Sequence, residues 1–154
     1  MSTIKEDIYI HNVYIELTTH STKDIPPILL SLKRLLGHRG KHIILGDFNL
    51  HYPLWNSPLY DKHHYLADEL LDIVGDIGAI LHTPKGLATR DCQRGIHHER
   101  TTIDLIFSNL ESLDLSTPRI QNDLEQSSDH LPIETTFIIE GTQLIPPSIL
   151  KKRL

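Results

Sequence analysis

Short apolar runs rich in β-branched and aromatic residues alternate along this chain with two stretches of helical period. That alternation restricts the fold to mixed α/β, because such strands and helices each bury one face and must layer on one another. Residues 8–17, "IYIHNVYIEL", read as a strand. Residues 21–40 read as a helix. Pro26 and Pro27 suit its first turn, and Ile28, Leu29, Leu32, Leu35 and Leu36 form its apolar stripe. Gly37 or Gly40 ends it. "KHIILG" is a short buried strand. Residues 61–80 predict a second helix with Leu66, Leu70, Ile73 and Val74 on one face. Residues 101–109 and 131–140 predict strands, and 113–120 a further one interrupted by Pro118. A chain of 154 residues makes one domain, expected over 1–140, with an extension over 141–154.

Three of these strands carry polar groups where catalytic side chains are often mounted. Asp47 and Asn49 follow "HIILG", Asp104 lies inside "TTIDLIFSN", and Asp129 and His130 precede "LPIETTF". Taken singly, each has a structural reading as a turn residue, an outward-facing strand position or a cap. Taken together they suggest chemistry. Asp104 is flanked by Ile103, Leu105 and Ile106, so its carboxylate is expected to be partly buried and to need a partner. His130 suits it, since a carboxylate fixes an imidazole's tautomer and raises its basicity. Asp47 would then hold or activate a water, and Asn49 would donate to a developing oxyanion. Phe48, between them, is expected to point into the core.

The strings "GDFN", "TTIDLIFSN" and "SSDHLPI", in that order, resemble the endonuclease/exonuclease/phosphatase (DNase I-like) family. The longer "GDFNLHYPLW" is most similar to the endonuclease domains of non-LTR retrotransposons. The resemblance implies a two-sheet α/β sandwich with outer helices and Mg²⁺- or Mn²⁺-dependent cleavage of phosphate esters. It implies His130 beside the scissile phosphate, Asp104 orienting it, Asp47 activating water, and Asn49 and Tyr14 contacting the phosphate. The implied metal residues are Asp129 and Asp47. The family's Glu-bearing first strands have no counterpart before "NVY", so the resemblance is to the later portion of the family domain. An apolar sheet face is therefore expected to be left open to self-association. The expected function is a DNA endonuclease. The alternatives are an inactive, truncated remnant or interaction module, and a phosphatase of the same superfamily.

Hydrophobic residues make up 39% and charged residues 23%, a soluble globular balance. A net charge of -5 gives no bulk basic footprint for nucleic acid. DNA contacts would then be local. Arg90 and Arg94, in "TRDCQRGIHHER", are the candidates, in what reads as a loop. Trp55 either stacks on a base or packs its loop onto the core, and His51 is expected to be solvated. The pairs His63-His64 and His97-His98 read as solvated, since neighbours point apart and no zinc spacing completes them. One cysteine, Cys92, excludes an internal disulfide, and no apolar run is long enough for a membrane span. The N-terminus has no signal-peptide pattern, so the expected location is cytoplasmic or nuclear.

Overall fold

The structure, a computed structural model, describes residues 7–16, 24–111, 115–122 and 128–138. The expected extension over 141–154 lies outside these residues. Within them a four-stranded sheet has the order β1 (Ile8–Tyr14), β2 (Lys41–Asp47), β6 (Asp104–Ser108), β3 (Ile80–Leu81). The parallel pair β1–β2 is joined through α1 (Pro27–Leu36), whereas β6 runs antiparallel to both its neighbours. The second helix, α2, spans Leu66–Gly75. A hairpin of β4 (Arg90–Arg94) and β5 (His97–Thr101) and a short pair of β7 (Arg119–Ile120) and β8 (Ile133–Glu134) complete the described fold. The mixed α/β class expected from the sequence is the one observed.

The core lies between one sheet face and the two helices. Pro26 and Pro27 occupy the cap and first position of α1, where no backbone N–H is needed, and Gly37 caps its end. Leu29, Leu32 and Leu36 of α1 meet Leu66, Leu70, Ile73 and Val74 of α2 over Val13, Ile15, Ile44, Leu105 and Phe107 of the sheet region. Phe48 is fully buried there, edge-on to Phe107, as its place between Asp47 and Asn49 predicted. Gly46 is a required glycine: at φ +139 an added Cβ would lie 2.0 Å from the Val13 carbonyl oxygen. That close approach of β1 to β2 brings Tyr14 into register with Asp47.

The structure differs from the sequence reading in several places. The second helix is shorter than 61–80: it starts at Leu66, stops at Gly75, and Gly78 at positive φ turns the chain into β3. Of residues 131–138, the described part of the expected 131–140 strand, only Ile133–Glu134 is paired as a strand, with Phe137 adding a single bridge to Leu115. The expected loop at 90–101 is a hairpin. Its strands are polar on both sides, so alternation gave no signal, while Gly95 at φ +62 makes the turn. On the edge strand β1, Ile10 and Tyr14 remain 67% and 63% exposed.

Candidate active site

Asp47 ends β2, Asp104 begins β6, and the two are directly opposed in the β2–β6 register. Residues opposite one another in an antiparallel pair project to the same side, so two carboxylates share one patch. His130 arrives from a separate segment. Its Nδ1 lies 3.1 Å from each carboxylate oxygen of Asp104, and its Nε2 lies 3.8 Å from Asp47 Oδ2. These three side chains are mostly sheltered, with 17%, 19% and 33% exposure for Asp47, Asp104 and His130. Burial, and next the neighbouring Asp104, push the Asp47 carboxyl above its usual range, against hydrogen bonds from Asn49.

Asn49 adopts φ +51, a left-handed conformation that asparagine tolerates. The turn lets its backbone N–H donate to Asp47 Oδ1 at 2.9 Å, while Nδ2 donates to Asp47 Oδ2 and to the Ile15 carbonyl, both at 3.0 Å. The two residues therefore meet through a turn rather than by sharing a face of extended chain. With both Nδ2 hydrogens engaged, Asn49 fixes the orientation of Asp47, and contact with an oxyanion would require exchanging one of these bonds.

Thr89 escaped the sequence reading. It is fully buried, and its Oγ1 accepts from the backbone N–H groups of Ile103 and Asp104, each at 3.0 Å. A threonine in a polar stretch carries no periodic signal, so only the fold reveals it. Two neighbouring assignments change as well. Asp129 was expected to sit by a metal, but its carboxylate accepts from Arg90 Nε at 2.8 Å, which holds its pKa below the usual range. Arg90 is correspondingly no free phosphate contact: its side chain is 20% exposed and committed to that pair. Arg94 stays exposed on the hairpin.

Trp55 is fully buried and donates from Nε1 to the Leu50 carbonyl at 2.9 Å. Base stacking by Trp55 is thereby overturned in favour of packing. His51 is not solvated either. Its Nε2 lies 3.2 Å from the Tyr60 hydroxyl, which donates to Glu99 at 3.0 Å, and burial lowers its pKa. His97 and His98 are exposed as expected, and Tyr14, on the edge strand, is open to solvent.

The residues present fit a divalent cation. One ligand atom each from Asp47, Asp104 and His130 lies within 4.8 Å of the others. Two half-buried carboxylates facing each other, one with a raised pKa, form a charge arrangement that a hard cation relieves. This is the only such group of three among the described residues.

Paired carboxylates with a carboxylate-oriented imidazole, at the strand ends of a mixed α/β fold, are suited to acid–base chemistry beside a bound cation. Residues 8–134 match the endonuclease-reverse transcriptase family, and the chain belongs to it. The structure is similar to the solved endonuclease domain of TRAS1, a telomere-specific non-LTR retrotransposon. The TM-score is 0.57 and the identity 25%, over 73% of this chain and 49% of that one. The chain thus spans about half the length of that solved domain. No curated protein matches it significantly. No helix among the described residues is long and apolar enough to cross a membrane.

Proposed function

We propose that this site hydrolyses phosphodiester bonds in DNA, with a divalent cation, Mg²⁺ or Mn²⁺, held by Asp47 and Asp104. The observation that carries the reading is the convergence of Asp47, Asp104 and His130, contributed by three separate segments. It is supported by the family membership and by the likeness to a retrotransposon endonuclease domain.

The roles follow from the geometry. Asp104 accepts from His130 Nδ1–H, which leaves Nε2 facing the open side of the site toward Asp47. The 3.8 Å between Nε2 and Asp47 exceeds a direct hydrogen bond, so the pair can hold a small group between them. Asp47, which Nε2 of His130 faces across the open side of the site, takes the proton of the attacking water. Asn49 keeps that carboxylate in place. His130, when protonated at Nε2 as well as at Nδ1, donates from Nε2–H to a non-bridging oxygen or gives that proton to the departing oxygen as the P–O bond breaks. A bound cation would neutralise charge on the phosphate. Exposed Arg94 and Arg100 on the hairpin are the candidate phosphate contacts on flanking DNA, although Arg100 also pairs with Asp91 at 3.3 Å.

One observation favours a second reading, an inactive binding module. Arg90 occupies Asp129, so among the described residues only two carboxylates and one imidazole remain for a cation. Plasmid nicking by the purified protein separates the two. Nicking that needs Mg²⁺, stops with EDTA and disappears in His130→Ala supports the enzyme. A folded protein that binds DNA and never nicks it supports the module.

A further inference from the structure

We infer that Arg90 is a positioning residue that sets His130 against Asp104 by gripping Asp129. The inference rests on the phosphodiesterase reading above.

Among the described residues, few contacts hold the backbone of the segment that carries His130. Residues 128–131 form no strand of their own, and β8 begins only at Ile133. Within the segment, the His130 N–H donates to Ser128 Oγ at 3.1 Å, a local turn bond. Among the described residues, the long-range backbone anchors of the segment all go to residues 89–91. Leu131 N–H donates to the Thr89 carbonyl at 2.7 Å and Asp91 N–H donates to the Asp129 carbonyl at 2.8 Å, and these two bonds together make the isolated antiparallel bridge between Arg90 and His130.

Residues 89–91 also hold the other half of the couple. Thr89 Oγ1 accepts from Asp104 N–H, so Asp104 and His130 share one mount. Two backbone bonds define the line of the segment. A third, off-axis contact is needed to stop it rotating about that line, and the Arg90–Asp129 pair supplies it one residue from the imidazole. Arginine suits this because its guanidinium is a rigid planar fork that stays charged. The equal 3.1 Å distances from His130 Nδ1 to both Asp104 oxygens are the geometry this clamp maintains. Because Arg90 is also the first residue of β4, movement of the hairpin is transmitted to the imidazole.

A positioning role and a phosphate-contact role predict different data. The test compares Arg90→Met, Arg90→Lys and Asp129→Asn with the wild type, all checked for folding by thermal melting. Two readouts are taken: nicking kinetics at several salt concentrations, and the His130 ring nitrogen signals in ¹⁵N-histidine-labelled protein, assigned with His130→Asn. Arg90→Met is expected to lower kcat by about ten- to hundredfold, the usual loss when an outer partner of a working group is removed. KM and the salt slope should stay unchanged, and Arg90→Lys should recover part of the rate. Asp129→Asn should resemble Arg90→Met, and the double variant should add little to either. The His130 Nδ1–H signal should shift or broaden in Arg90→Met and Asp129→Asn. A raised KM with a shallower salt slope and unchanged kcat would assign Arg90 to DNA and overturn the inference. An unmoved His130 signal would overturn it too. The ring signals need no turnover, so they still decide the point if the wild-type chain does not nick DNA.

Discussion

Nδ1 of His130 sits 3.1 Å from both carboxylate oxygens of Asp104, although the two residues come from different segments, 26 positions apart. An imidazole held this way is locked in one tautomer, with the proton on Nδ1 and Nε2 free to act. Asp104→Asn keeps the size of the side chain, but an amide can donate as well as accept and no longer enforces that tautomer. Nicking is expected to fall by about 10²–10⁴-fold, the usual range for disabling an acid/base couple. A variant within a factor of three of wild type would show that the couple takes no part in the rate.

The raised pKa of Asp47 has a thermodynamic consequence in the metal-free protein. Its folded value lies above its unfolded value, so in the interval between them the folded state binds more protons. Stability therefore falls as pH rises through that interval, and above it the ionised carboxylate is a net cost. Asp47→Asn in EDTA is expected to melt higher than wild type at neutral pH. The difference should shrink as pH falls through the acidic carboxylate range. Melting curves across pH check this, and a difference independent of pH would contradict the assigned cause.

A cation that binds the folded chain alone must stabilise it by mass action. At a hundredfold excess over the dissociation constant the gain is about 2.7 kcal/mol, which a thermal melt resolves easily. Mn²⁺ or Mg²⁺ is expected to raise the melting temperature of the wild type, and chelation to reverse it. Asp47→Asn and Asp104→Asn should lose the response, since both carboxylates face the same patch. If both variants respond like wild type, the ion binds elsewhere.

Trp55 is a structural residue in this fold. Trp55→Phe removes the Nε1–H bond to the buried Leu50 carbonyl and leaves a small void. The expected cost is about 1–3 kcal/mol, from an unsatisfied carbonyl and lost packing. Urea unfolding measures it. DNA affinity of the folded variant should equal that of wild type, and a selective loss of affinity would restore the stacking role.

Much of the site was legible in the linear chain. Asp47, Asp104 and His130 each stand beside an apolar run, and an acid beside such a run has few reasons to be there other than a cap or a working group. The α2 stripe, the β2 strand and Leu29, Leu32 and Leu36 of the α1 stripe were legible for the same reason, burial of one face writing a period into the sequence, whereas Ile28 and Leu35 of that stripe face solvent. The β4–β5 hairpin was not, because its side chains are polar on both faces.

By itself the sequence determined the α/β class, the strands that carry the carboxylates and the pairing of Asp104 with His130. These depend on local pattern, or on a carboxylate and a histidine needing one another. Only the tertiary structure decided which polar group meets which. Arg90 and Asp129 lie 39 positions apart, Thr89 and Asp104 lie 15 apart, and Glu99 joins Tyr60 across 39. Such pairings depend on the register between segments and leave no periodic trace. That is why Asp129 reads as a metal residue in the chain and becomes the partner of Arg90 in the fold. It is also why His51, which reads as solvated, turns inward, and why Trp55 packs rather than stacks, once the loop after β2 closes over the core.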